Sequence, residues 1–362
     1  MKEYELNVDP RILELLGPNL YTNIYYVLAE LVSNAYDADA KNVYIIANPS
    51  DIRVEDDGHG MSYEDGDIKR YLNVAGVSRT DESNSLTRSK SRRKMGRKGV
   101  GKLAALSVSE SVDILTIANG EKSGFVLARN PENGNKLKAI SEEEITFVYA
   151  ETQGTAIIMK DPQYRLHKTL NAVKRNLLKI FPLVNKDFKI HIIRGAETAI
   201  IEDFDRSIMT ELCALITLGE DFKALQDSVP NIYPNKRSSL VENLTSYTIP
   251  IVMKNTNGDE KEYTLEILGW IGAYKTTRGR KAEMTDFPDN FISLLANNKM
   301  GEFNILPTVG QNKLNEVYIV GQLHVDLFEL SELPDMALSN RQGYKSDDQR
   351  YEEVRDYLSI RY

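Results

Sequence analysis

The chain has 362 residues, 41% of them hydrophobic and 27% charged, which is enough apolar content for two packed cores of ordinary domain size. A formal net charge of −8 excludes indiscriminate nucleic-acid binding by the whole surface and leaves room only for a local basic patch. The one cysteine, Cys213, excludes an intrachain disulfide, the start Met1-Lys2-Glu3-Tyr4-Glu5 has no signal-peptide core, and no run of about 18 apolar residues marks a membrane span. The expectation is a protein of the reducing cytoplasm with no membrane partner.

Residues 1–17 show no clean period and read as a leading arm or short helix. Pro18 suits the first turn of a helix running to about Asp39, because that turn leaves its amide hydrogens unpaired and proline lacks one. On this helix Glu30, Asn34 and Asp37 share one narrow face, while Leu20, Ile24, Val27, Leu28, Leu31 and Ala35 fall on an adjoining apolar one. Val43–Ile46 and Ile52–Glu55 read as a hairpin across Asn48-Pro49-Ser50-Asp51. The second strand delivers Asp56 into the turn Asp57-Gly58-His59-Gly60, whose glycines allow positive φ and a close backbone approach to a ligand.

A short helical pattern follows between Tyr63 and Thr80. Next, Arg88, Lys90, Arg92, Arg93, Lys94, Arg97, Lys98 and Lys102 occur with no acid between them. This run leads into Gly96-Arg97-Lys98-Gly99-Val100-Gly101-Lys102 and a good helix opening at Leu103–Leu106, the pattern of an anion-binding loop. It is neither a Walker sequence nor a dinucleotide fingerprint, since Lys102 is followed by Leu103 and no βαβ unit is evident. Strands are expected over 112–117 and 123–128, joined through Asn119-Gly120, and over 145–148 and 154–159, giving an antiparallel or mixed sheet with helices on one face.

A helix from Leu166 to Phe181, before Pro182, reads as a domain joint, and Lys189–Ile193 as the first strand of a second α/β unit. The further expectations are a helix over 206–225 carrying Cys213 as a buried thiol, and a loop over 226–242. Strands are expected on either side of Asn255–Asp259, over 264–272, near 302–306 and over 315–325. The closing segment, Asp347 to Tyr362, is charged and helix-like and stops without a cap, as a chain cut from something longer would. The four histidines, His59, His167, His191 and His324, show no metal-ligand spacing.

The set Glu30-x-x-x-Asn34-x-x-Asp37-Ala38, Asp56-x-Gly58-x-Gly60, Gly96-x-x-Gly99-x-Gly101 and Gly154-Thr155 resembles the four motifs of the GHKL ATPases, which include DNA gyrase B, Hsp90, histidine kinases and MutL, together with MORC proteins. The wording around Asn34 looks most like the MutL and MORC branch. Leu333–Arg341 instead resembles the Hsp90 middle-domain segment that contributes a phosphate-contacting arginine. The resemblance covers residues 20–160 firmly and 180–345 loosely. It implies an α+β fold: a Bergerat-type ATP-binding sandwich over 1–165, a connecting helix over 166–182, a transducer-like, S5-like α/β domain over 183–345, and a C-terminal helix over 346–362.

By position, the resemblance implies that Glu30 orients or deprotonates the attacking water, Asn34 supplies an oxygen to Mg²⁺, and Asp56 accepts a hydrogen bond from the adenine amino group. It puts Gly58, Gly60 and Met61 beside the base, Thr155 in support of the adenine contact, and Gly96, Lys98, Gly99, Val100, Gly101 and Lys102 over the phosphates. Asp37 ranks lower, as a group in the ligand shell acting through water, and Asp57 is left as an exposed turn residue. For the cation that the second domain contributes to catalysis, Arg341 is the first choice and Lys299 the second. His59 reads as a spacer.

The expected function is Mg²⁺-dependent ATP hydrolysis with lid closure and N-terminal homodimerisation, coupled to a protein partner or DNA. Two alternatives belong to other classes. One is an ATP-gated clamp on double-stranded DNA, motivated by the basic residues at 88–102 and Lys275, Arg278, Arg280 and Lys281. The other is an Hsp90-like chaperone or scaffold with a client protein.

Overall fold

The computed structural model describes residues 2–5, 21, 23–73, 86–96, 101–131, 134–181, 187–202, 207–230, 240–276, 286–309, 316–338 and 342–361. The chain divides into two compact units, Met1–Phe204 and Asp205–Tyr362.

The first unit opens with helix α1 (Ile24–Asp37). Asn23, extended at φ −140°, caps it by accepting from the Tyr25 amide at 2.8 Å. Among the described residues the helix therefore begins at Ile24; Pro18 and Leu20, expected in its first turns, lie outside them. Its far end is closed by Asp39, which takes the left-handed conformation at φ 60° that usually falls to glycine or asparagine. Ile24, Tyr25, Val27, Leu28, Leu31, Val32 and Ala35 are buried, so the apolar stripe read from the sequence is the packed one.

Strands β1 (Asn42–Ala47) and β2 (Asp51–Asp56) form the expected hairpin. A short helix α2 (Asp67–Leu72) and a 3₁₀ helix over Gly101–Ser107 precede β3 (Ser111–Ala118) and β4 (Glu121–Ala128). Asn119 and Gly120 join these two strands with φ 54° and 77°, the paired positive angles that a two-residue hairpin requires. With β5 (Lys138–Ala139), β6 (Gly154–Lys160), β7 (Lys189–Arg194) and β8 (Glu197–Ile201), they make one eight-stranded sheet in the order β5-β4-β3-β6-β2-β1-β7-β8. Neighbours are antiparallel except β1 and β7, which are parallel; helix α3 (Leu170–Ile180) leads from β6 to β7. The N-terminal residues lie along this sheet, with the Leu137 amide donating to the Tyr4 carbonyl at 3.0 Å and Tyr4 buried against Phe125.

Two expectations change here. Lys189–Ile193 does not begin the second unit: it pairs with β1 in the first sheet, and α3 packs against α1, β7 and β8 instead of bridging two bodies. Val43, Ile45, Ile190 and Ile192 make one continuous buried face across that parallel pair, which local periodicity cannot reveal. Residues 145–148 do not form a strand either. The fully buried Glu55 carboxylate takes the amides of Val148, Tyr149 and Ala150 at 3.1, 2.5 and 2.7 Å, and so occupies donors that a strand ladder would use. On the face opposite Val43, Tyr44 stacks between Tyr149 and His191, with ring centroids 4.2 and 4.7 Å away.

The second unit is built on β12 (Glu260–Tyr274), whose first half pairs with β11 (Tyr247–Lys254). Its second half lies between β9 (Leu212–Leu218) and β15 (Ile319–His324). The sheet order is β10-β9-β12-β15-β13-β14, with β10 (Val241–Leu244), β13 (Phe291–Ala296) and β14 (Lys299–Glu302). The helix expected over 206–225 is broken in the middle: Ser207–Thr210 is helical and Glu220–Ser228 a 3₁₀ helix, but Leu212–Leu218 between them is strand β9, where Leu212, Leu215 and Leu218 are spaced three apart and imitate a helical period. Cys213 is half-buried there, not the enclosed thiol expected. The strand expected near 302–306 does not form there: β14 ends at Glu302 and Leu306 opens a helical turn, and the strand pair lies just before it as the β13–β14 hairpin, turned by Asn297 and Asn298 at φ 50° and 61°. The closing helix α4 (Gln349–Arg361) is part of this core and no appendage: Tyr351, Val354, Tyr357 and Leu358 are buried with Leu265, Ile267 and Phe328. Among the described residues, no helix is long and apolar enough to cross a membrane.

Candidate functional site

The site residues of the first unit converge on one face of α1 and on the strand ends beside it. Glu30 is buried, and Oε2 of its carboxylate accepts from the Tyr21 hydroxyl at 3.3 Å. Asn34 follows one turn later and is half-buried. Asp37, a further turn on, receives the backbone amides of Met95 and Gly96 at 2.7 and 2.9 Å. It thereby anchors the segment entering the glycine loop. The exit of that loop meets the same face. A methyl group on Gly101 would sit 1.6 Å from Glu30 Oε1, so the bare Gly101 backbone lies directly against the carboxylate.

Glu30 and Asp37 are seven residues apart, about 10 Å along a helix, with Asn34 between them. The two ends of the loop thus flank Asn34. Lys98, Gly99 and Val100, and the side chain of Lys102, lie outside the described residues. The helix expected after the loop is 3₁₀, with Leu103, Ala104, Ala105 and Leu106 all buried.

The second wall is the end of β2. Asp56 is buried, pairs in register with Thr155 of β6, and accepts the Gly58 amide at 2.9 Å. Burial raises its carboxyl to about 7, the Gly58 and Thr155 amides pulling the other way and the neighbouring Asp57 and Glu55 charges adding to the rise. A buried carboxyl at that value is poised to take a donor from a ligand. Gly60, at φ 65°, could carry no side chain, because a Cβ would fall 2.0 Å from the Ile117 carbonyl oxygen. Gly154 meets the same limit, with a Cβ 2.0 Å from the Asp56 carbonyl oxygen.

Three groups went unrecognised in the sequence. Thr116, fully buried, accepts the Met61 amide at 2.8 Å and donates to the Gly154 carbonyl at 3.1 Å, so it ties the glycine turn to β6. Its one sequence signal is a polar residue inside the apolar strand 112–117. Asp57 is no exposed turn residue: it receives the amides of Lys41 and Asn42 at 2.7 and 2.8 Å and the Asn42 side chain at 2.8 Å. Tyr21 holds Glu30 from outside the motif. His59 has its Nδ1 2.7 Å from the Gly60 carbonyl oxygen, and burial holds its ring neutral to lower pH.

Much of the basic run has structural partners. Arg92 is buried, donates to the Ala40 carbonyl at 2.7 Å, and lies 4.6 Å over the Tyr36 ring. Arg88 pairs with Asp67. In the second unit, Lys299 opens β14 beside the Asn297-Asn298 turn, and Arg341 lies outside the described residues. Among the described residues no group of three or more His, Cys, Asp or Glu side chains is placed to hold a metal.

Residues 21–155 match the family model described as histidine kinase-, DNA gyrase B-, and HSP90-like ATPase, and this stretch is accordingly a GHKL-type ATPase domain, an ATP-binding class. The protein described as putative type II restriction enzyme HgiDII, from Herpetosiphon aurantiacus, is 26% identical over 368 aligned residues, which cover 99% of this chain and 54% of that protein. The chain thus spans about half the length of this relative.

Proposed function

Starting from a GHKL-type domain over residues 21–155, we propose that the chain binds ATP with Mg²⁺ and hydrolyses it at the α1 face of the first unit. The observation that carries this reading is the convergence on that face of a buried carboxylate, Glu30, a half-buried amide, Asn34, and both ends of a glycine loop, beside the buried Asp56. Asp56 accepts the adenine amino group, and the side-chain-free backbone at Gly60 admits the base. Asn34 offers an amide oxygen for Mg²⁺, a hard ion that needs few protein ligands when phosphate oxygens and water complete its shell. When bound, the ion neutralises charge on the phosphates.

Glu30 holds the attacking water in line with the γ-phosphorus and takes its proton, as the bond to the β-phosphate bridging oxygen breaks to give ADP and phosphate. Arg341, with Lys299 as second choice, supplies a cation from the second unit. ATP-driven closure and N-terminal dimerisation then couple the cycle to a partner, in the cytoplasm. ATP turnover measured with Mg²⁺ and again with EDTA, alongside sedimentation with a non-hydrolysable analogue, tests this. Metal-dependent turnover and a monomer-to-dimer shift are expected; binding without any turnover would reject the enzyme.

A second reading, an ATP-gated clamp on double-stranded DNA, is favoured by the relative's description as a restriction enzyme. Within 88–96, Arg88 and Arg92 make contacts inside the first unit, while Lys90 and Arg93 are exposed. Lys275 Nζ donates to the Thr210 carbonyl, and Arg278, Arg280 and Lys281 lie outside the described residues. Stimulation of turnover by duplex DNA, lost with rising salt, is the expected result. Salt-insensitive turnover with no DNA binding would leave the ATPase without the clamp.

A further inference from the structure

We propose that Asp37, Asp39 and Asp67 are positioning residues that clamp residues 86–96 as a strap, fixing the entry of the glycine loop beside Asn34. The effect on catalysis rests on the ATP-site reading, while the clamp itself does not.

Each carboxylate takes a different part of the strap. Asp37, the last residue of α1, receives the Met95 and Gly96 amides at 2.7 and 2.9 Å. Asp39 receives the Ser89 amide at 2.8 Å and its hydroxyl at 2.6 Å. Asp67, the buried first residue of α2, pairs with Arg88 and is steadied by Arg70 and by the Ser62 amide at 3.2 Å. Arg92 lies between these attachments, donating to the carbonyls of Ala40 and Asp187 at 2.7 and 3.4 Å, with the rings of Tyr36 and Phe188 beneath its guanidinium at 4.6 and 5.6 Å.

The αL conformation of Asp39 ties this to the sequence. Ending α1 with an aspartate where glycine is usual brings a carboxylate to the strap at the point where the helix stops. The bonds to Asp37 and Asp39 have an ionised acceptor and a backbone or hydroxyl donor, a class roughly twice as strong as neutral pairs. Burial works to raise the carboxyls of Asp39 and Asp67, yet Ser89 and Thr87 on the first, and Arg88 and Arg70 on the second, outweigh it and hold both below their ordinary values.

The test uses the full chain with Asp37→Asn, Asp39→Asn and Asp37→Glu. Amide exchange is read by mass spectrometry without nucleotide, and ATP turnover is measured over a range of ATP concentrations. Because an asparagine keeps one acceptor oxygen of two, peptides covering 86–96 should exchange about tenfold to a hundredfold faster in each Asn variant, with β1 and β2 unchanged. KM for ATP should rise about tenfold with kcat within about threefold, since Glu30 is untouched, and Asp37→Glu should recover part of the loss. Unchanged exchange over 86–96 in both Asn variants, or lost protection with an unchanged KM, would overturn the proposal. If the wild type itself shows no turnover, the ATPase reading fails, and the exchange measurement alone still decides whether the clamp exists.

Discussion

Gly101→Ala probes the contact between the loop exit and the Glu30 carboxylate, the group proposed to orient water. The added methyl would lie 1.6 Å from Glu30 Oε1, 2.4 Å from Cδ and 2.8 Å from Cγ, so the carboxylate must retreat by about 2 Å to reach van der Waals distance. Gly101 is not among the positive-φ glycines, so its backbone accepts alanine without strain. The cost falls on a flexible side chain, about 0.5–1.5 kcal/mol for an off-rotamer Glu30, partly offset by about 0.4–1 kcal/mol from a stiffer unfolded chain. Global stability should therefore change by less than about 1 kcal/mol in urea unfolding. Catalysis should suffer far more, because a displacement of about 1 Å at a reacting group can cost a hundredfold. ATP turnover should fall about a hundredfold or more, while the Kd for a fluorescent ATP analogue, set by Asp56 and the glycine turn, stays within about threefold. Wild-type turnover in a folded Gly101→Ala protein would refute the placement of Glu30 against Gly101.

Asp56 gives a pH prediction with a defined sign. Its carboxyl is raised from 3.8 to about 7, so the unfolded chain gives up the proton near pH 4 and the fold only near 7. Nucleotide-free stability should fall as pH climbs through that window, and Asp56→Asn should flatten the curve in urea titrations at pH 5, 6, 7 and 8. Since the adenine amino group donates to an ionised acceptor, ATP affinity should rise severalfold from pH 6 to 8 with proton release, and an affinity independent of pH would contradict the assignment. Glu55→Ala should destabilise the first unit by about 3–5 kcal/mol, because it leaves the buried Arg53 guanidinium and three backbone donors of 148–150 without their shared acceptor. A change below about 1 kcal/mol in denaturant unfolding would show that Glu55 is dispensable. Lys299→Ala and Arg341→Ala, measured in parallel, should separate the two candidate cations: the one that acts lowers kcat and leaves ATP binding intact.

The hairpins and the motif face of α1 were legible because they depend on local chemistry. Asn119-Gly120 announces a two-residue turn, and Glu30, Asn34 and Asp37 share a face by helical spacing alone. The remainder is set by contacts distant in sequence. The parallel pairing of β1 with β7 brings Asn42 against Lys189, far along the chain, and moves α3, β7 and β8 into the first unit. The strand identity of β9 was hidden by leucines spaced three apart, and the loss of a strand at 145–148 follows from a buried Glu55 on another strand. In the site, motif positions were visible but partners were not. Asp37 faced the right way, yet its bonds to Met95 and Gly96 cross 58 and 59 residues. Arg92 looked like one more charge of the basic run because charge can be counted in a sequence, whereas the rings and carbonyls around it cannot.

In the proposed mechanism Glu30 performs the chemistry at an ATP site built on α1. Its most direct test is Glu30→Gln, an isosteric change that keeps the Gly101 contact and removes only the basic oxygen, with ATP affinity and Mg²⁺-dependent turnover measured on the same sample. Affinity should be unchanged and turnover reduced about a hundredfold or more. Turnover equal to the wild type would contradict that mechanism.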